Sequence, residues 1–307
     1  MLCPWQQPQM RDGYTHAGER ARRVGRGSAP IPLRPGGGGG MSHPERVLVT
    51  WLPPDEDRWL RRVVPGAEVI RCQNQQMIID LADRADVLIL DPLLARSWLH
   101  DDGSRRVLGG TPVILRGALD EAFVRLVSEC SRSLSHCFVS LRQFDDLASD
   151  LKHVLDHGGA ADPALLLVDM VVPLVPTEAQ LPLVGAAVLG RRRTRLPAFA
   201  RCCSLSPRAL EYRLERYSLP HAGKLLGWSL SLHALWRHEV LDWPLKRCAT
   251  TAAFSESGSL SAYIGRHVQH RPHAMRESGG FGQLLARWGA LFECRLECPP
   301  RPPVTAP

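Results

Sequence analysis

The rhythm of apolar and polar positions changes along the chain, and the change divides it. From residue 46 to about 157, short apolar runs alternate with stretches whose apolar residues recur every three to four positions. RVLVTW (46–51) predicts a buried strand and 55–64 a helix; 67–72 predicts a second strand, with a helix over 77–84. ADVLIL (85–90) is the plainest strand and stops at Asp91-Pro92. TPVIL (111–115) predicts a fourth strand, 121–130 a helix, 137–141 a fifth strand and 145–155 an amphipathic helix. Apolar strands alternating with helices imply a parallel sheet covered on both faces. The expected fold of residues 45–157 is therefore a five-stranded doubly wound α/β domain, its ligand crevice at the C-terminal ends of the strands.

Beyond it the period becomes helical throughout. Residues 158–176 open with Gly158-Gly159 and continue as an apolar stretch broken by Pro163, Pro173 and Pro176, so one continuous helix is not expected. This linker would pack between two domains or against a second copy. Residues 177–190 predict a helix with Thr177 as its N-cap and Glu178 at the positive end of its dipole. Then short and long helices pair. Residues 196–203 precede a helix started by Ser206-Pro207, with a capping serine and proline at the first position. Leu210, Leu214 and Tyr217 share one face of it; Arg208, Glu211, Tyr212 and Arg213 occupy the other side. After a long helix over 219–240, whose core-facing residues include Leu225, Trp228 and Trp236, the pair recurs as 244–251 and 257–268. Each half carries an alanine on its short helix (Ala200, Ala249), then a turn, then a serine-rich start: Ser206-Pro207-Arg208 and Ser255-Glu256-Ser257. This is the layout of a helix-turn-helix, present twice. The expected second domain, residues 177–276, is all-α with two such motifs.

Composition adds the ends and the charge. Residues 1–44 are rich in Pro, Gly and Arg without an apolar period, and are expected to be disordered. The five glycines before Met41 are what a purine-rich ribosome-binding site would encode if read in frame, so Met41 is the expected start. The segment 277–307 reads as a tail, partly disordered and Pro-rich at its end. No apolar stretch approaches the roughly 20 residues that span a bilayer, which argues against a membrane partner. Nine cysteines without a paired framework and no signal-peptide pattern point to reduced thiols in a cytoplasm. The formal charge is +7, and it is unevenly spread. Residues 46–157 hold 14 basic and 17 acidic side chains, whereas 178–276 hold 15 and 6. The positive excess lies with the helix pairs. The run Arg191-Arg192-Arg193-Thr194-Arg195 reads equally as a solvated face or as a phosphate contact.

Residues 177–275 resemble the DNA-binding domain of the AraC/XylS family of bacterial transcription regulators. The resemblance rests on Leu205-Ser206-Pro207-Arg208 with Leu210 and Leu214, Leu219-Pro220 leading to Leu225-Leu226, His233-Ala234, Ala249, Ala253-Phe254-Ser255 with Ser259 and Leu260, and Arg271-Pro272. It implies double-stranded DNA as the partner, read by Ser206, Pro207, Arg208, Glu211, Tyr212, Arg213 and Arg216 in the first unit. In the second it implies Ser255, Glu256, Ser257, Ser259 and Arg266. A homodimer and RNA polymerase are further expected partners. The chain departs from the family at Tyr212, Leu230 and Ala262, where Arg is usual, and at Ser218, Ala253 and Gln269, where Gly is usual. The loss at Ala262 shifts the expected DNA grip toward the first unit.

Residues 46–157 resemble the receiver domain of two-component response regulators, in layout more than in motif. The resemblance implies that Asp91 stands at the phospho-acceptor position. Yet Thr50 and Trp51 stand where metal-binding carboxylates belong, Arg116 and Gly117 follow the fourth strand, and Arg142-Gln143-Phe144-Asp145 replaces the usual Lys-Pro-Phe-Asp. Phosphoryl transfer to a carboxylate needs a cation to neutralise the transferring oxygens, and an arginine fork is not a compact ammonium. A degenerate receiver that regulates without phosphorylation is expected; the alternatives are phosphorylation at Asp91, Asp91 as a mere turn cap, or an interaction protein that no longer binds DNA. No P-loop, dinucleotide fingerprint or nucleophile elbow occurs. His233 and His238 stand off one face, and His267, His270 and His273 lack a nearby Cys or carboxylate in sequence. No enzyme activity, metal or cofactor is expected.

Overall fold

The computed structural model describes residues 46–64, 66–95, 111–131, 137–142, 147–157, 162–268, 272–277 and 280–296. The expectations for 1–44, for the Pro-rich end, and for Gln269, His270 and Arg271 lie outside these residues.

Five strands, β1 (Arg46–Trp51), β2 (Ala67–Arg71), β3 (Val87–Leu90), β4 (Val113–Gly117) and β5 (Cys137–Leu141), form one all-parallel sheet in the order β2-β1-β3-β4-β5. That order is one of the two common doubly wound arrangements. Period-2 alternation sorts the side chains. Leu48, Ile89, Ile114 and Phe138 meet α1 (Pro54–Val63) and α4 (Leu147–His157) on one face. Val49, Leu88, Leu115 and Val139 meet α2 (Gln75–Ala82) and α3 (Glu121–Ser131) on the other. Several boundaries differ from expectation; the third strand, for example, begins at Val87 rather than 85. The second helix begins at Gln75, not 77, because the Asn74 side chain accepts the Met77 N–H at 3.0 Å. The fourth strand begins at Val113 and runs to Gly117, so Arg116 and Gly117 belong to it and pair with Ser140 and Leu141.

The rest of the described chain is helical. Within the segment read as a linker stands a helix, α5 (Pro163–Val171), started by Asp162, whose Oδ1 accepts the Ala164 N–H at 3.0 Å. It packs on β5 and α3 and also on α6 (Thr177–Leu189), and a short 3-10 turn, Val172–Leu174, separates the two helices. Pro176 is the N-cap of α6 and Thr177 its first helical residue with no side-chain capping bond, which corrects the Thr177 cap. Then follow α7 (Leu196–Cys202), α8 (Pro207–Arg216), α9 (Ala222–Glu239), α10 (Leu245–Thr251), α11 (Ser257–Val268) and α12 (Pro272–Glu277). The supposed tail contains a further helix, α13 (Gly280–Leu296). Its Phe281, Leu284, Leu285, Trp288 and Phe292 are buried against α9, α5 and α12.

Helix α9 is the axis of this half. Fourteen of its eighteen residues are buried, including Ser229, Ser231, His233 and Arg237, so the helix is enclosed all round rather than on one apolar face. One apolar cluster runs without interruption from Val113 and Phe123 through Val168 and Val184 to Leu210, Leu225, Ile264 and Trp288. No described helix is long and apolar enough to cross a membrane.

Candidate nucleic-acid interface

Two helix pairs hang from α9, and they are built alike. Helix α7 ends with Ser204 in the left-handed region (φ 55°); Ser204 N donates to Arg201 O at 3.0 Å and Leu205 N to Ala200 O at 2.9 Å. Helix α10 ends with Ala253 (φ 62°); Ala253 N donates to Thr250 O at 3.1 Å and Phe254 N to Ala249 O at 2.9 Å. Both are Schellman closures, which satisfy the orphan carbonyls of a helix end and turn the chain sharply. Helix α8 closes the same way at Ser218 (φ 54°), with bonds to Glu215 O at 2.9 Å and from Leu219 N to Leu214 O at 2.8 Å. Ser218 and Ala253 thus occupy positions that require a positive φ, which accounts for glycine being the residue expected there.

The second helix of each pair buries one stripe and exposes the opposite side. In α8, Leu210 and Leu214 are fully buried; in α11, Leu260, Ile264 and Val268 are. The Ser206 side chain caps α8 by accepting the Ala209 N–H at 3.1 Å, and Pro207 takes the first helical position. Ser206, Pro207, Arg208, Tyr212 and Arg216 are exposed and Arg213 is half-buried; Tyr212, at 63% exposed, is the most open large hydrophobic side chain among the described residues. Arg216 lies over the Tyr217 ring at 5.7 Å. Glu211 is turned elsewhere: its Oε2 accepts the Ala222 N–H at 3.4 Å and sits 3.1 Å from His221 Nδ1, capping α9 from outside. In the second pair Ser255, Glu256, Ser259 and Arg266 are exposed and Ser257 is half-buried. Its side chains therefore offer a polar, nearly uncharged start and one arginine near the end. Leu230, where the family resemblance expects Arg, is buried, whereas Ala262 is exposed.

The second pair is also the more firmly seated. The His267 ring meets the Tyr263 ring at a tilt, centroids 4.5 Å apart, and lies against Gly227 of α9, where an added methyl would come within 2.2 Å of the ring. Trp228 Nε1 donates to His267 O at 3.0 Å. Arg193 donates its N–H to Ala252 O at 3.0 Å and covers Phe254 at 5.6 Å, so this exposed member of the basic run stands at the second turn. Arg191 does not face outward. It pairs with Asp162 and, at 3.4 Å, with Asp150, and lies 3.7 Å from the Phe138 ring centroid. Part of the run therefore holds the sheet to the helices.

At the C-terminal edge of the sheet a closed polar cluster occupies the crevice. Asp91 Oδ1 accepts the Leu93 N–H at 2.7 Å and Oδ2 accepts from Arg142 Nη2 at 2.6 Å. Arg142 also pairs with Glu56, whose other oxygen pairs with Arg116 at 2.6 Å; Arg116 reaches Ser140 at 3.1 Å. Asp57 accepts from Thr50 at 2.6 Å. Two guanidinium groups thus stand among the carboxylates. Glu56 reaches this cluster because Pro54 starts α1 directly after the strand end, which puts Glu56 in the first turn of that helix.

His233, His238 and the thiols of Cys72, Cys202 and Cys248 are packed into the fold. His233 is buried and donates Nε2–H to Ala187 O at 2.8 Å; burial pushes its pKa down to about 3. His238 contacts Trp243 O at 2.8 Å. Burial pushes the thiols of Cys72 and Cys248 up to about 11 and that of Cys202 to about 12. Among the described residues no group of three or more His, Cys, Asp or Glu could hold a metal ion. Compared with protein-family models, curated proteins and solved structures, the chain matches none.

Proposed function

We propose that this chain is a sequence-specific DNA-binding transcription regulator of the AraC/XylS type, controlled through a receiver-like α/β half without phosphorylation. The observation that carries the reading is the repeated geometry of α7–α8 and α10–α11: short helix, left-handed closure, second helix with a buried stripe and an open polar side. On this reading both pairs are helix-turn-helix motifs, and α8 and α11 enter successive major-groove segments. Arg208, Arg216 and the exposed Arg193 neutralise phosphates, while Tyr212 and Arg213 with Ser255, Glu256 and Ser259 meet base edges. Glu211, engaged with the start of α9, positions α8. A second copy of the chain and RNA polymerase are the partners that the resemblance adds.

Phosphorylation independence is supported by Arg142, whose guanidinium is already engaged by both Asp91 and Glu56. An incoming phosphoryl group would have to displace it.

The test is binding of labelled duplex fragments titrated between about 50 and 200 mM salt. Affinity should fall steeply with salt, and Arg208→Ala and Arg216→Ala should each reduce the slope by about 1. The absence of salt-dependent affinity for any duplex would overturn the proposal.

A further inference from the structure

The second helices of the two pairs correspond residue by residue at a spacing of 50, the step from Leu210 to Leu260. Leu210 N donates to Ser206 O at 2.9 Å to open α8, and Leu260 N to Glu256 O at 3.3 Å to open α11. The buried stripes keep the same step, Leu210 and Leu214 against Leu260 and Ile264. The outward stripe of α8 is Arg208, Tyr212 and Arg216; that of α11 is Gly258, Ala262 and Arg266, and all of these are exposed. Arg208 and Tyr212 therefore have no counterpart in α11 longer than a methyl. Nothing lies within 4 Å of where a Cβ on Gly258 would stand, and its φ is not in the left-handed region. Neither packing nor backbone conformation asks for glycine there. Half-buried Arg213 corresponds to Tyr263, whose ring is held by Phe254 and His267, centroids 5.3 and 4.5 Å away.

Telling one base pair from another takes side chains that reach the groove floor with paired donors or acceptors, as arginine does for guanine. Glycine and alanine carry none, and a serine hydroxyl, as at Ser259, bonds to any base. Glu256, at the start of α11, suits a cytosine amino group, which amounts to one position. The basic side chains of the second pair stand at its margins: Arg193 at the turn, Lys246 on α10 and Arg266 near the end of α11, all exposed. Those are places for phosphates, which position a protein on the duplex without specifying sequence. Resting on the DNA reading above, we propose that sequence specificity is concentrated under α8, with Arg208 and Tyr212 as its determinants. The segment under α11 is held with at most one specified base pair.

The experiment selects duplexes from a random pool with the full chain, then measures binding of every single base-pair substitution of the selected site at one fixed salt. One block of adjacent positions should each cost about fivefold or more in affinity. The segment about 10 base pairs away should respond by less than about twofold at all positions but one. Arg208→Ala and Tyr212→Ala should each relax the block, and Glu256→Ala should leave it unchanged. Ala262→Arg, at an exposed position where folding is not at stake, should create a new specified base pair in the second segment. Two blocks of equal strength a turn apart would overturn the inference. So would a block relaxed by Glu256→Ala and not by Arg208→Ala or Tyr212→Ala, no new specified position in Ala262→Arg, or salt-dependent binding without any preferred sequence. Absence of salt-dependent affinity for every duplex would overturn the DNA reading and this inference with it, a result distinct from the others.

Discussion

Ala253→Gly is the substitution whose outcome the geometry fixes most directly. Ala253 holds a φ of 62° at the closure of α10 and its side chain is exposed, so removing the methyl sacrifices no packing. The two bonds of the closure, to Thr250 O at 3.1 Å and Ala249 O at 2.9 Å, come from backbone groups that glycine retains. An L-residue costs roughly 1–2 kcal/mol in the left-handed region. Against that gain, glycine adds freedom to the unfolded chain worth about 0.4–1 kcal/mol. The balance is a stabilisation of about 0.5–1 kcal/mol, or a rise in Tm of about 1–4 °C for a chain of this size. Urea unfolding followed by tryptophan fluorescence reads it as a higher midpoint at unchanged slope. Gly66→Ala, at a φ of 87°, is the reciprocal control and should lose stability. A lower midpoint for Ala253→Gly would refute the reasoning, since it would mean that the closure is not held in the left-handed region.

Four more outcomes follow from the structure. Gly227→Ala should destabilise by about 1–3 kcal/mol because its methyl meets the His267 ring, whereas Gly265→Ala, with nothing within 4 Å, should stabilise by about 0.5–1 kcal/mol; paired urea midpoints check both. His233 has a folded pKa below its unfolded value of about 6.5, so below that pH only the unfolded chain takes up the proton. Its contribution is full above pH 6.5 and is lost as pH falls toward 3, by up to about 1.4 kcal/mol per unit; His233→Gln should flatten that slope in midpoints measured across pH 7 to about 3.5. Arg116→Ala, which removes a buried partner of Glu56, should cost about 3 kcal/mol in the same assay, and the unsubstituted chain incubated with a small phosphodonor and Mg²⁺ should show no mass gain at Asp91.

What was legible in the sequence was whatever repeats locally. The strands announce themselves as apolar runs, and Leu210–Leu214 and Leu260–Ile264 mark buried stripes four residues apart. Helix α13 was equally legible: Phe281, Leu284, Leu285, Trp288 and Phe292 keep the helical period, but the Pro-rich stretch just beyond them drew the whole segment into a tail. What depends on residues far apart in sequence was hidden. Nothing near Arg191 in the chain tells that Asp150, Asp162 and Phe138 will surround it, so its place in a basic run suggested an outward face. Glu56 was hidden by register, since only the sheet brings it to Arg116, 60 residues away. Glu211 sits on the expected face of α8, yet it is drawn off by the backbone N–H at the start of the next helix.

The unbroken apolar cluster from Val113 to Trp288 constrains how the two halves can move. A hinge needs a stretch of chain that can change its backbone angles while bodies on either side stay intact. Here α5 is buried against the sheet on one side and against α6, α9 and α13 on the other. Swinging the helices away would open that layer to water. The motion left is shear, a small sliding of α5 and α6 across β5 and α3, with side chains exchanging neighbours rather than parting. On the proposed reading, a signal at the sheet would then reach α8 and α11 as a change of about an ångström in helix register, not as an opening of the molecule.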